Sequence, residues 1–347
     1  MVLFEMLAAH NYGELHFGRD EASGLACIIA IHDTRLGPAL GGCRMRRYDR
    51  EEDALFDVVR LARGMTYKGA MAGLKVGGGK SVILAPPAVA DRAKLFHAFG
   101  RFVDSLGGRY TTAEDSGTSI NDMVLIREKT KHVTGLPTAM GGSGDPSPFT
   151  ALGVRRGMEA AVEVILGRPS LRGLTVAVQG VGHVGMNLAR EVRDAGARLA
   201  VADIDPIRAE IARKELGAEV VPLDRVLEME CDVLAPCALG AVFTHDNIKK
   251  LKCKVIAGAA NNQLYDPSVG RALFELGIAY APDYVINAGG LINVVSERDG
   301  YDAARCRTKT LAIHDTVATL FERSKRDHLS PEVVADRMAD EILAAAG

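Results

Sequence analysis

The second half of the chain alternates short apolar runs with amphipathic stretches of crossover length, and this alternation restricts the fold more than any other feature. Residues 174–179 and 198–202 read as buried strands, 184–195 and 205–216 as helices, and further buried strands are expected at Val233, Val255 and Ile278. Such an order builds a parallel, doubly wound sheet with helices on both faces. A chain of 347 residues has room for about two domains. The expected architecture is therefore α/β throughout. A doubly wound domain spans 136–330, and an N-terminal α/β domain spans 1–135, completed by an amphipathic C-terminal helix within 331–347. The Gly-, Pro- and Ser-rich run G-L-P-T-A-M-G-G-S-G-D-P-S-P at 135–148 marks the boundary and is the expected hinge. In the first half, a strand at 25–31, a helix at 51–65, a strand at 81–84 stopped by Pro86 and Pro87, a helix at 90–106 and a strand at 110–113 are expected. Ser119 followed by Asp122 has the spacing of a capping box that opens a further helix.

The turn Q-G-V-G-H-V-G sets Gly180, Gly182 and Gly185 in G-x-G-x-x-G spacing between a strand and a helix. The first glycine permits the sharp turn, the second lets a pyrophosphate approach, and the third lets helix and strand close together. Phosphates then meet the free N–H groups of the helix N-terminus. Asp203 ends the next strand, where a carboxylate accepts hydrogen bonds from an adenine ribose and repels a 2′-phosphate, so NAD is expected rather than NADP. The cofactor-binding residues assigned to this fingerprint are Gly180, Val181, Gly182, His183, Val184, Gly185, Met186 and Asp203.

A second glycine run, A-G-L-K-V-G-G-G-K-S at 72–81, imitates a phosphate loop. The imitation fails twice. The first glycine of G-x-x-x-x-G-K-[ST] would fall at Leu74, and S-V-I-L-A-P-P reads as a strand where a helix should start. Lys68, Lys75 and Lys80 remain, set among small residues. Lys75 reads as a solvated surface lysine. Lys80 follows three glycines that leave no side chain between it and a ligand, and a lysine partly buried beside another cation, for which Lys68 is the candidate, can serve as a base near neutral pH.

The ordered motifs G-G-C-R-M (41–45), G-M-T-Y-K (64–68), G-L-K-V-G-G-G-K (73–80), T-A-E-D (112–115), G-A-A-N-N-Q (258–263) and A-P-D-Y-V-I-N-A-G-G (281–290) resemble the glutamate/leucine/phenylalanine/valine dehydrogenase superfamily, from about residue 10 to the C-terminus. Among its members the leucine-type enzymes are the most similar. The resemblance implies that Lys80 is the catalytic lysine, that Asp115 assists proton transfer, that Lys68 binds the substrate carboxylate, and that Asn262 orients substrate and nicotinamide. It extends the cofactor contacts to Thr150, Ala238 and Asn262. It also implies a cleft between the two domains and a homo-oligomer, either a dimer or an octamer. By the same resemblance Leu40, Gly42, Met65, Ala113, Leu291 and Val294 lie near the substrate side chain. None is charged, so a dicarboxylate would be left unpaired and a hydrophobic L-amino acid is expected. Ala113 matches leucine-type enzymes, whereas Leu291 points toward the phenylalanine type.

The implied reaction is reversible NAD-dependent oxidative deamination of leucine or another branched-chain amino acid to the 2-oxo acid, ammonia and NADH. Phenylalanine or another aromatic substrate is the alternative, and a non-catalytic sensor of NAD or amino acids is the alternative of another class. A 2-hydroxy-acid dehydrogenase would need a histidine base, and neither His183 nor His245 is placed for one. A net charge of -2 argues against nucleic acid. The absence of a signal peptide and of long apolar runs argues against a membrane and for the cytoplasm. Six cysteines without metal spacing read as reduced core thiols, and no metal is expected.

Overall fold

The computed structural model describes residues 3–9, 13–86, 90–238 and 240–347, so Pro87, expected to end a strand, lies outside the described residues. The chain forms two compact units. The first holds Met1–Asp145, Val294–Asp302 and Glu341–Gly347, the second Pro146–Asn293 and Ala303–Asp340. Among the described residues no helix is long and apolar enough to cross a membrane.

Unit 1 is a mixed five-stranded sheet. Its strands are β1 (Glu14–Asp20), β2 (Leu25–Asp33), β3 (Ala39–Arg46), β4 (Gly77–Leu84) and β5 (Tyr110–Glu114), in the order β1-β2-β4-β3-β5. β2 is antiparallel to β1 and β4, while β3 runs parallel to both β4 and β5. Helix Glu51–Met71 covers one face, packing Ala54, Val58 and Ala62 against Ile28, Ala30 and Val82. Its first turn carries Glu51, Glu52 and Asp53, which complement the helix dipole. Ile29, Ile83 and Tyr110 meet helices Arg92–Ser105 and Ile120–Arg127 on the other face. The second of these opens on the expected capping box, with Ser119 and Asp122 bonding each other's backbone N–H.

Two elements run longer than their apolar pattern suggests. The helix expected to end at Met65 continues to Met71, which places Lys68 in its last turn. The strand expected from Ser81 begins at Gly77, so the glycine run is itself strand. The reason is close approach. A Cβ on Gly78 would lie 2.6 Å from Thr66 Cα and nearer still to the Thr66 backbone nitrogen, and one on Gly79 would lie 2.8 Å from the Tyr110 ring. Only glycines let the helix settle this deeply onto β4.

Unit 2 contains β6 (Thr175–Gln179), β7 (Arg198–Ala202), β8 (Glu219–Val220), β9 (Val233–Pro236), β10 (Val255–Ile256) and β11 (Ala279–Tyr280), in the order β11-β10-β9-β6-β7-β8 and all parallel. Renumbered within the sheet this is 3-2-1-4-5-6, the order of dinucleotide-binding folds, with the switch point between β6 and β9. β7 has the expected bounds, and helix Pro206–Leu216 starts from Asp205 as its cap. Helix Ser147–Leu166 precedes β6, with Ala151, Val154, Met158 and Ala161 buried. The C-terminal helix runs Pro331–Ala346, and Arg35 donates to the Leu343 carbonyl from unit 1.

The run at 135–148 is largely irregular, with a short 3-10 turn at Thr138–Met140. It is not slack. The Glu297 carboxylate accepts the backbone N–H groups of Gly135 at 3.1 Å and Ser143 at 2.8 Å, together with the Ser143 hydroxyl at 2.5 Å.

Candidate active site

The register of unit 1 gathers the predicted catalytic residues on one face. Leu40 opposes Gly78 and Thr111, and Gly42 opposes Ala113. Side chains alternate along strands, so Leu40, Gly42, Arg44, Lys80 and Ala113 all point to the side covered by helix Glu51–Met71. That helix supplies Met65 and Lys68, three residues apart and hence neighbours on its surface, both half-buried. Leu40 and Ala113 are buried and apolar.

Lys80 is 6% exposed, and its Nζ lies 2.9 Å from Asp115 Oδ2. The neighbour found against Lys80 is thus a carboxylate. Asp115 follows the end of β5 and is shared. Arg44 Nε donates to the same oxygen at 3.0 Å, while Arg44 Nη1 donates to Asp57 Oδ2 at 2.9 Å. Asp57 also accepts the Tyr48 hydroxyl at 2.8 Å. Burial pushes the Asp115 carboxyl up, but Lys80 and Arg44 outweigh it and hold the group below the usual carboxylate range. Next to it, burial and then the charges of Asp122, Asp145 and Asp115 push Glu114 up. Gly42 completes the arrangement. A Cβ there would sit 3.2 Å from Lys80 Nζ and 2.8 Å from Asp115 Cβ, so glycine keeps open the space over these two side chains. Arg44, Asp57 and Tyr48 have no role in the sequence reading, although Arg44 stands in a quoted motif; their partnership joins segments distant in sequence.

In unit 2 the glycine turn takes its expected form. Gly180 has φ +93°, and its N–H donates to the Ala202 carbonyl at 2.7 Å. A Cβ on it would collide with Ala238, 2.9 Å from that residue's nitrogen. A Cβ on Gly185 would lie 2.9 Å from the Gly180 carbonyl carbon, which is the close helix–strand approach. Around Gly182 the space is open, with Arg208 Nη1 at 3.6 Å from an added Cβ. Helix His183–Asp194 starts there with no side-chain cap, leaving first-turn N–H groups for a pyrophosphate, so these residues fit a dinucleotide. Val184 and Met186 lie in this first turn, and His183 is exposed. Asp203 has a second duty: its carboxylate accepts the N–H groups of Val181 at 2.7 Å and Asp205 at 2.8 Å, tying the turn to the next strand.

The remaining predicted residues are spread over other elements. Thr150 is in helix Ser147–Leu166 and donates to the Pro146 carbonyl at 3.1 Å. Asn262 is exposed with φ +52° in a loop held by Gln263, whose side-chain amide donates to Gly258 and Ala260. Leu291 and Val294 lie in helix Gly289–Val295, the first in unit 2 and the second in unit 1. No disulfide joins the six cysteines, all of which are among the described residues, and burial pushes the thiols of Cys43 and Cys253 up to about 12, leaving these two inert near neutral pH.

Known proteins carry the same arrangement of sequence. Over 341 residues the chain is 51% identical to the leucine dehydrogenase of Bacillus subtilis, covering 98% of this chain and 94% of that protein. It is 45% identical to the valine dehydrogenase of Streptomyces albus over 331 residues, covering 94% and 91%. The crystal structure of L-tryptophan dehydrogenase from Nostoc punctiforme superposes with a TM-score of 0.88 at 41% identity, over 99% of both chains. The family signatures for the Glu/Leu/Phe/Val dehydrogenase dimerisation domain and for the Glutamate/Leucine/Phenylalanine/Valine dehydrogenase match residues 14–132 and, in two overlapping stretches, 141–207 and 204–304. With its sheet order, its glycine turn and its paired lysine and aspartate in place, the chain is an amino-acid dehydrogenase of the glutamate/leucine/phenylalanine/valine dehydrogenase family.

Proposed function

We propose that this enzyme oxidatively deaminates branched-chain L-amino acids, leucine foremost, to the 2-oxo acid and ammonia with NAD. The observation that carries the reading is the Lys80–Asp115 pair, 2.9 Å apart, on a sheet face whose other predicted substrate positions, Leu40, Gly42 and Ala113, are apolar or absent side chains. A second carboxylate on the substrate would find no charged residue among the assigned pocket positions, which disfavours glutamate. The names of the relatives agree, since leucine and valine dehydrogenases are among them.

Lys68 holds the substrate carboxylate from the helix above the sheet. NAD held at the Gly180–Gly185 turn would supply the acceptor for the α-hydrogen, which leaves as hydride. Asp115 takes a proton from the substrate ammonium before this step and returns one to the departing amine. Lys80, as the neutral amine, removes a proton from the water that attacks the iminium carbon; as the ammonium it stabilises the oxygen of the carbinolamine and of the product carbonyl. The Asp203 carboxylate beside the ribose favours NAD over NADP. The dimerisation-domain match supports a homo-oligomer built on dimers.

The test is NADH formation at mildly alkaline pH with leucine, valine, isoleucine, phenylalanine, tryptophan, glutamate and lactate. Branched aliphatics should lead. A lead by tryptophan or phenylalanine would move the preference to the aromatic class through Leu291, and no turnover of any amino acid would refute the reading. Lys80→Ala should abolish turnover while NADH still binds by fluorescence titration; a near-native rate would remove Lys80 from the chemistry.

A further inference from the structure

One half-buried cation bonded to Asp115 has no part in the proposed proton transfers. Arg44 spans two acids: Nε reaches Asp115 Oδ2 at 3.0 Å and Nη1 reaches Asp57 Oδ2 at 2.9 Å, with the Arg44 side chain 17% exposed. Asp57 is itself held from two further sides, by the Tyr48 hydroxyl at 2.8 Å and by Arg60 Nη2 at 3.3 Å. The guanidinium is therefore anchored, and its Nε is aimed at the oxygen that Lys80 also uses.

We propose that Arg44 is a positioning residue for proton transfer, which by sharing Asp115 Oδ2 with Lys80 holds that carboxylate in place and favours its ionised form, so that the proton taken from the substrate ammonium is passed on rather than kept. The inference rests on the reading that Lys80 and Asp115 exchange protons with substrate and water. When Lys80 is the neutral amine, Asp115 without Arg44 would be a carboxylate largely removed from water that has lost the charge of both bonded cations, a costly state that is relieved by keeping a proton. Lys80 gains one proton when water attacks the iminium and gives it up again before the next turnover. A guanidinium stays charged through both states, so it compensates Asp115 in each.

Other groups face Asp115 as well. Cys43 of β3 and Tyr110 of β5, which pack on the opposite face of the sheet but are close enough to feel the charge of Asp115, are buried and held neutral, with their acid forms favoured by burial. Glu114, the last residue of β5, immediately precedes Asp115, and the helix over this face brings Asp57, Arg60 and Lys68. Arg44 and Lys80 are both bonded to the Asp115 carboxylate.

The experiment is the pH dependence of kcat/KM for leucine in the intact enzyme and in Arg44→Gln and Arg44→Lys, with thermal melts and NADH titration recorded for each. Removing a fixed positive charge makes a proton on Asp115 harder to release, so the acid limb should move to higher pH by about one unit or more in Arg44→Gln, because an opposite charge this close shifts a carboxylate by about 1–3 units. Arg44→Lys keeps the charge and loses the bridge to Asp57. Its limb should return to within about 0.3 unit of the native one even though its melting temperature falls. NADH affinity should be unchanged in both. Coincident limbs in Arg44→Gln and the native enzyme, or equal displacement in both variants, would overturn the proposal. If Arg44→Gln does not fold, Arg44→Lys decides: a native limb supports the role of charge, and a limb displaced by a full unit refutes it. Failure of the native enzyme to oxidise any amino acid would instead refute the underlying reading.

Discussion

Gly78→Ala isolates the glycine run from every chemical role, because its side chain would add one methyl group under the helix that carries Met65 and Lys68. The new Cβ would stand 2.6 Å from Thr66 Cα, and ordinary contact starts at 3.4 Å, so helix and strand must part by at least 0.8 Å, the difference of the two. The Thr66 nitrogen is closer still, and being backbone it cannot rotate away. Overpacking of this kind costs about 1–3 kcal/mol, and at roughly 2–4 °C per kcal/mol for a domain of this size the melting temperature should drop by several degrees. The separation also acts on function. Lys80 is two residues along β4 from Gly78 and Lys68 is two residues along the helix from Thr66, so their spacing changes with the gap. A misplacement of about 1 Å is worth on the order of 100-fold in rate. Thermal denaturation and steady-state kinetics on leucine are the assays. Gly64→Ala is the internal control on the same helix: a Cβ there meets nothing within 4 Å, and replacing a mid-helix glycine should stabilise by about 0.5–1 kcal/mol with little change in rate. Native stability and kcat/KM in Gly78→Ala would refute the close-packing account of the glycine run.

Asp203→Ala should do more than relax the choice between NAD and NADP. The N–H groups of Val181 and Asp205 lose their acceptor, so a melting-temperature loss should accompany at least a tenfold rise in KM for NAD, about 1.4 kcal/mol; a native KM with native stability would show that the carboxylate neither shapes the turn nor meets the ribose. Asp122, only 1% exposed, accepts Arg92 Nε and Nη2 at 2.7 Å and the Ser119 N–H and hydroxyl at 2.8 Å. Burial pushes its carboxyl up, the bonds from Arg92 and Ser119 pull it further down, and the net position is below the usual carboxylate range. A lowered acid stabilises the fold above its unfolded value and loses that contribution as pH falls through the folded one. Asp122→Asn should therefore cost roughly 1–3 kcal/mol at pH 7 by denaturant titration, the partly exposed Arg92 reducing the figure. The gap from the native protein should close below about pH 4; a gap that persists unchanged in acid would exclude the carboxylate charge as its source.

Much of unit 2 was legible in the sequence because its signals are local. A strand, a glycine turn and a helix that follow one another in sequence are also neighbours in space, so G-x-G-x-x-G places Gly180, Gly182 and Gly185 without knowledge of the rest of the fold. The capping box at Ser119 and the helix at Pro331–Ala346 are local in the same way. Family motifs supplied Lys80 and Asp115 as candidates, yet no spacing along the chain shows that they meet.

That meeting is a property of the tertiary structure. β3 is inserted between β4 and β5, and this non-local pairing brings Gly42 beside Lys80 and Asp115. The same insertion carries Arg44 to Asp115 across 71 positions of sequence. The glycine run was ambiguous for the same reason: its strand character comes from Thr66 and Tyr110, which press on it from opposite faces of the sheet. Local sequence determines which turns and periodicities the backbone can adopt. Which side chains share a buried face, and so which charges must compensate one another out of water, depends on strand order and register, set only when the whole sheet assembles.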